Sequence, residues 1–451
     1  QISNEIQILT GINNSMLVKS PSLKEKLPGF IDFIGELPLV GHNIQFDLDF
    51  LHFNSKQLKL RLKPNPIYDT LTLARMCLYS HHSFTLESLN DYFSNSTEFS
   101  HRAGADAENT GKIFLELVNE ISSHPLSLIQ DINQITDGRD IPNQKLFKDI
   151  LETCVVLKKI DGLVKSKIKH DIKSSIFINE GTSKPINVNR PSLLFKKNGL
   201  ISNYWKNFEF RESQSLFSDD AAYAFSNNKI LLAEAGTGLG KSLAYLAAGI
   251  INKISSNIPL VVSTYTKHLQ DQLFYKDIPI ISKIFNIDIK STLYKGRHNY
   301  LCMTRLKYVL QNSKTLLNDS EVELLLSVMI WKNYTKSGDF SDCHGFRITL
   351  MPKVWQMIRS ESGYCSLRKC KEYQGCFLTS LKYSILDSDI IVVNHSLLLA
   401  NLSLPEQTLP LEFNFVIDEG HNLVSAAQEQ LIQKVNQQSL DKIVDFFTIE
   451  K

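Results

Sequence analysis

The stretch that most constrains the fold is NKILLAEAGTGLGKSLAYLAAGIINKI, residues 228–254. A short apolar run passes through a loop with three glycines into an alanine-rich helical pattern. Such a strand–loop–helix unit aims backbone N–H groups at one point, where the amides and the helix dipole together favour an anion. Glycine allows the tight path because it has no Cβ to clash. AGTGLGKS (235–242) has the spacing of a phosphate-binding P-loop, with Ala235 where the strictest pattern has glycine. In that role Gly236, Thr237, Gly238 and Gly240 line the phosphates of ATP. Lys241 neutralises the β- and γ-phosphates, and the Ser242 hydroxyl ligates Mg2+. Read in isolation, the octapeptide could equally be a turn before a helix.

Its neighbours remove that ambiguity. IPLVVST, SDIIVVN and FNFVIDEG read as strands, each ending in polar residues, with helical patterns between them. Strands alternating with helices predict a parallel sheet whose functional residues gather at the carboxyl ends. FVIDEGH (415–421) brings Asp418 to such an end, where it holds magnesium through water, followed by Glu419, which orients and deprotonates an attacking water. Alone, an Asp-Glu pair after a strand is a solvated loop; downstream of a P-loop it predicts ATP hydrolysis.

DEGH (418–421) resembles the DEAH box of superfamily 2 helicases, with Gly420 in place of alanine. The resemblance implies that His421 couples the nucleotide state to the DNA-binding motifs. FRESQ (210–214) is similar to the adenine-recognising motif of these motors, which assigns Arg211 and Gln214 to the base. VVSTYTKHLQDQL (261–273) resembles their motif Ia, implying that Thr264, Thr266 and Gln270 face a nucleic-acid backbone. Without the resemblance it is a plain strand and amphipathic helix.

YCSLRKCKEYQGC (364–376) raises the question of a metal. The seven cysteines are Cys77, Cys154, Cys302, Cys343, Cys365, Cys370 and Cys376. An odd count in a chain with no visible signal peptide argues against a secreted disulfide scaffold and for a reducing cytoplasm. From Cys302 the spacing is a 62-residue interval, then C-x4-C-x5-C. Zinc ribbons prefer C-x2-C pairs, whereas wider, unequal spacing suits a cubane held at its corners. Zinc and unligated thiols remain alternatives on spacing alone. Placed between the P-loop and the DEAH-like box, this layout resembles the iron–sulfur domain of the DinG/XPD family of DNA helicases. The resemblance implies a 4Fe-4S cluster on Cys302, Cys365, Cys370 and Cys376, with Cys343 a spare thiol. Arg368, Lys369 and Lys371 flank it and could touch DNA phosphates. IIVVNHSLLLAN (390–401) resembles the segment by which that family returns to the motor sheet. Net charge is only +2, so DNA binding must come from local basic patches.

VGHNIQFDLDFL (40–51) and HRAGADAENT (101–110) resemble motifs II and III of DnaQ-like DEDDh 3′–5′ exonucleases. ILTGINNSML (8–17) resembles the stretch after motif I. By this resemblance Asp47 and Asp106 bind divalent metals that activate water and stabilise the leaving oxygen, and His101 is the general base. Motif I, an Asp-x-Glu, is not found; Glu5 stands in the wrong place. The chain opens on Gln1 and ends at Lys451, soon after the DEGH box and without a second RecA-like lobe. Truncation at both ends is expected, and with it loss of full activity.

The resulting expectation is an α/β chain: an RNase H-like exonuclease domain followed by a P-loop RecA-like helicase lobe with an iron–sulfur insertion. Residues 1–120 form a partial exonuclease domain, and 121–200 a helical connector and linker. The connector holds the Lys-rich KIDGLVKSKIKHDIKSS (159–175) and the polar NEGTSKPINVNRPS (179–192). Residues 201–451 form the first motor lobe, with the iron–sulfur domain at about 295–385. The expected cofactors are ATP, Mg2+, the cluster and the nuclease metals; the partners are single-stranded and forked DNA. No run of about 18 apolar residues predicts a membrane span. The alternative is an exonuclease carrying a nucleotide- or redox-gated DNA-binding module.

Overall fold

The computed structural model describes residues 2–432 except 6, 8–10, 19, 95–102, 157–167, 169–173, 175, 179–189, 237, 362–364, 366–369, 371–374, 404–407 and 411. Among the described residues the chain is helix-rich α/β with two sheets, and it divides into two units.

The first unit joins Gln1–Lys173 to His298–Gly375. Leu39–Gly41 (β1) and Ile67–Asp69 (β2) pair in parallel, with Leu39 opposite Ile67 and Gly41 opposite Asp69. The crossover between them contains the helix Gln45–Gln57, as a parallel pair requires. Asp69 then caps the helix Thr70–Cys77, accepting from Leu71 N at 2.8 Å. That helix buries Leu73, Ala74, Met76 and Cys77 and packs on the helix Asp319–Trp331. The latter is apolar almost all round and buried on most of its circumference, the signature of an interior helix. Arg139 ties the two segments of the unit together. Its guanidinium donates to Ile135 O (3.0 Å), Leu317 O (3.1 Å), Ser313 O (2.8 Å) and Asp319 Oδ1 (2.9 Å). Residues 298–359 therefore build one core with the helices after β2.

The second unit joins Ser174–Arg297 to Cys376–Lys451. It holds a five-stranded sheet built from Ile176–Ile178 (β3), Leu260–Thr264 (β4), Lys290–Leu293 (β5), Ile390–Asn394 (β6) and Asn414–Ile417 (β7), in the order β3-β5-β6-β4-β7. All pairs are parallel except β3 with β5. Every residue of β4 is buried, as are the first four of β6, the pattern of strands covered on both faces. Val261 lies between Ile391 and Phe415. The helix Lys241–Ser256 buries Ala244, Leu246, Ala247 and Ile250 in the core under the sheet. Burying such side chains stabilises by roughly 1.5–3 kcal/mol for each large aliphatic.

One predicted strand is not formed. Residues 229–236 have no regular structure, and Ile230 and Leu232 are 92% and 94% exposed. An apolar run becomes a strand only when a neighbour supplies the other half of the ladder, which its own pattern does not specify. The Lys-rich stretch 159–175 and the polar stretch 179–192 lie largely outside the described residues. Among the described residues, no helix is long and apolar enough to cross a membrane.

Candidate functional site

The sequence turns at Gly238 and Gly240, both at φ +81°, and the latter precedes the helix Lys241–Ser256. A side chain at Gly240 would collide with the amide of Gln214. Gln214, 5% exposed, donates from Nε2 to Gly240 O at 3.0 Å, while the Arg211 guanidinium donates to Gly238 O. The two residues assigned to the adenine thus hold the loop by its carbonyls. Beside them lies a cavity of about 520 Å³, lined by Trp205, Phe208, Arg211, Gln214, Gly238 and Gly240. The Trp205 and Phe208 rings stack at 6.3 Å, 17° apart. A volume of this size suits a small organic ligand, and flat rings suit a base. Thr237 lies outside the described residues.

Lys241 and Ser242, in the first turn of the helix, are both half-buried. Lys241 Nζ meets Glu419 Oε1 at 3.1 Å across 178 residues of sequence. Asp418 sits at the carboxyl end of β7, its N–H donating to Ser263 O at 2.9 Å. Its Oδ2 accepts from the Tyr245 hydroxyl at 3.2 Å. Burial, then the charge of Asp418, pushes the Tyr245 hydroxyl well above its ordinary pKa, so it stays a donor. Asp277, at the end of the π-helical segment Leu273–Asp277, is also raised, by burial first, with the Asp418 charge adding to it. His421, largely exposed, lies with Nδ1 3.5 Å from Glu419 Oε2. Thus Lys241, Asp418, Glu419 and His421 come together at the strand ends, with Ser242 beside Lys241 in the first turn of the helix.

Sequence reasoning missed Tyr245, Asp277, Trp205 and Phe208. For Tyr245 a signal existed: it is four residues after Lys241 and so on the same helix face. Motif Ia departs from expectation. Thr264 and Gln270 are fully buried, leaving only Thr266 at the surface, where its hydroxyl caps the helix Lys267–Gln272 by accepting from Leu269 N at 3.2 Å. The strand end that brings Thr264 in register with Asn394 also places it inside the sheet.

In the first unit Cys302 caps the helix Met303–Gln311, and its N–H donates to Ile358 O at 2.9 Å. Burial pushes its thiol up, the Arg305 and Thr304 amides pull it down, and the Cys365 and Cys370 thiols nearby add to the rise. The Thr304 hydroxyl lies 3.4 Å from Cys370 Sγ. Cys376 caps the helix Phe377–Leu386 in the second unit. Among the described residues, no group of three or more His, Cys, Asp or Glu has metal-binding geometry. Cys343 is a buried core thiol pushed up to about 12. Arg368, Lys369 and Lys371 lie outside the described residues.

On the nuclease side Asp47 is exposed in the first turn of the helix Gln45–Gln57, and Asp106 is half-buried in the first turn of the helix Ala103–Ser123. His101 lies outside the described residues. The organiser here is Asp69, 7% exposed, whose carboxylate accepts from Asn43 N (3.0 Å) and Leu71 N (2.8 Å). It sets the turn that precedes Asp47. His42, its pKa lowered by burial, bridges Thr70 Oγ1 (3.0 Å) and Phe84 O (2.9 Å).

Comparison with known proteins agrees with both halves. Residues 1–114 match the exonuclease family RNase_T. The chain is 25% identical over 442 residues to a protein named 3′-5′ exonuclease DinG from Bacillus subtilis, covering 94% of this chain and 45% of that protein. A namesake from Staphylococcus epidermidis is 24% identical over 442 residues, 96% of this chain and 46% of that protein. A protein named ATP-dependent DNA helicase YoaA from Haemophilus influenzae is 34% identical over 257 residues, 56% of this chain and 39% of that protein. The chain thus spans less than half the length of each of these relatives.

Proposed function

For a chain homologous over most of its length to DinG and YoaA proteins, with an exonuclease-type domain at its N-terminus, we propose an ATP-dependent DNA helicase lobe of DinG type fused to a 3′–5′ exonuclease domain. The partners are single-stranded and forked DNA, in repair or replication in the cytoplasm, with 5′ to 3′ translocation. The domains run 1–120 (exonuclease), 121–200 (connector) and 201–451 (motor lobe, with an iron–sulfur region at about 295–385).

One observation carries this reading: Lys241 of the glycine loop and Glu419 of the DEGH box form an ion pair at 3.1 Å. A cation and a carboxylate that meet only through the fold, at the ends of parallel strands, are the charges a triphosphate and an attacking water need. Lys241 exchanges Glu419 for the β/γ-phosphates, which leaves that carboxylate to accept a proton from water. Asp418, its carboxylate oriented by Tyr245, and Ser242 would hold Mg2+, which supplies charge neutralisation between the phosphates. Arg211 and Gln214 hold the loop and edge the cavity into which the base fits beside Trp205 and Phe208.

Cys302, Cys365, Cys370 and Cys376 would ligate a 4Fe-4S cluster, and soft thiolates suit that group. Asp47, Asp106 and His101 are proposed for the nuclease, the carboxylates on divalent metals and the histidine as base. The test is Mg·ATP binding by the chain and by Lys241→Ala, with iron and acid-labile sulfide counted on the same anaerobic samples. Binding lost in the variant, and about four irons per chain with matching sulfide, are expected. Nucleotide binding unchanged in Lys241→Ala would sink the motor reading; zinc without sulfide would sink the cluster.

A further inference from the structure

His395 lies in the stretch 390–401 that returns the chain to the sheet, but none of the residue roles assigned above includes it. It is the first residue of the helix His395–Leu402, directly after β6, and is 1% exposed. Its Nδ1 lies 2.7 Å from the Ser263 hydroxyl, itself fully buried on β4. The main-chain oxygen of the same Ser263 receives the Asp418 N–H. On its other side the imidazole lies beside the peptide oxygens of Glu419 and Asp418. Its Nε2 is nevertheless buried with no hydrogen-bond partner among the described residues. A buried nitrogen left open next to acceptors is poised for a bond that a small shift would close.

Such a shift has a cause at hand. Glu419 adopts φ 57° and ψ 44°, a left-handed conformation that a non-glycine residue keeps only when its surroundings hold it. Its carboxylate is held by Lys241, the group that phosphates would claim. The Tyr265 ring, 42% exposed, is centred 6.3 Å away in the loop that carries the exposed Thr266.

The geometry points to His395 as a positioning residue that couples occupancy of the phosphate site to the 264–266 loop, acting through Ser263 and the Asp418–Glu419 peptides. This rests on the motor reading above, in which phosphates occupy the Lys241 site. It rests also on the resemblance of 261–273 to motif Ia, of which Thr266 is the residue left at the surface to meet nucleic acid. Release of Glu419 from Lys241 lets the Asp418–Glu419 backbone relax toward Nε2. The ring, pinned by Ser263 at Nδ1, turns that displacement into a movement at Tyr265.

The test is a linkage measurement. Affinity for a short oligothymidylate is measured with and without a non-hydrolysable ATP analogue and Mg2+, and affinity for the analogue with and without the oligonucleotide. Wild-type chain is expected to show a coupling of about tenfold, the same factor in both directions. His395→Asn keeps a polar atom where Nδ1 meets Ser263 and deletes Nε2. It is expected to bring the factor close to one while each ligand alone binds within about twofold of wild type. Ser263→Ala, a small change that leaves the core filled, is expected to do the same. Coupling that survives in both variants, or that is missing from the wild type, overturns the proposal. Separate affinities that fall together with the coupling reduce His395 to a structural residue and overturn it too. A wild type that binds no nucleotide at all indicts the motor reading itself, so the two failures are distinguishable.

Discussion

The two candidate sites in this chain are organised in opposite ways. In the second unit the functional side chains hold one another: Lys241 pairs with Glu419, Tyr245 with Asp418, and Gln214 with the glycine loop. In the first unit the bonded groups are the buried Asp69 and Asn143 and the half-buried His42, whereas Asp47 and Asp106 have no hydrogen-bond or ion-pair partner among the described residues. A phosphate site shaped by strand ends and a helix N-terminus is assembled by the fold before any ligand arrives. Carboxylates that are to share metals gain nothing from one another without them, because like charges repel. The contrast teaches that the motor site is legible as geometry and the nuclease site only as a scaffold.

Four substitutions test that contrast, from the largest effect down. Lys241→Ala should weaken Mg·ATP-analogue binding about a hundredfold or more, since it removes a charge-assisted contact to phosphate. Thermal unfolding of the first unit should not move, and a parallel loss there would erase the distinction between the units. Asp69→Ala should act in reverse. Two backbone donors, Asn43 N and Leu71 N, lose their buried acceptor, at about 2–4 kcal/mol in total. Urea unfolding should show this while nucleotide affinity stays unchanged.

Glu323 supplies a pH test confined to the first unit. Burial, then the charges of Asp69 and Asp319, pushes it up to about 7, with Arg75 opposing. The folded state holds this proton more tightly than the unfolded one. Stability is therefore fully present at low pH and declines as pH rises from about 4.5 through about 7. The decline is on the order of 2–3 kcal/mol for a group of this partial exposure. Glu323→Gln should flatten it, measured as denaturation midpoints at pH 5 and pH 8; an unchanged slope would place the titration elsewhere. Smallest is Tyr245→Phe, expected to weaken Mg2+-dependent analogue binding about tenfold, or about 1.4 kcal/mol, with metal-independent binding intact. Equal loss with and without Mg2+ would mean that the hydroxyl orients the loop and not Asp418.

Legibility differed by element. The helix after the glycine loop repeats its own period, and β4 and β6 carry the near-continuous apolar runs of strands covered on both faces; β7, only partly buried, was readable from the apolar run FVI that ends at Asp418. Residues 229–236 show the same apolar character without forming a strand. Thr264 and Gln270 illustrate a related limit, for a motif names residue types but burial decides which side chains can meet a ligand.

From sequence alone came the P-loop, the DEGH box, the four spaced cysteines and the two nuclease motifs, because each is a local pattern of residue types whose chemistry is intrinsic. Tertiary structure alone decided that Lys241 meets Glu419, that Tyr245 holds Asp418 and that Ser263 links His395 to the same loop. It also decided that residues 298–359 share a core with the helices after β2. The reason is physical. Each of these contacts joins segments distant in sequence, and no local preference can state which distant group completes a hydrogen bond or an ion pair.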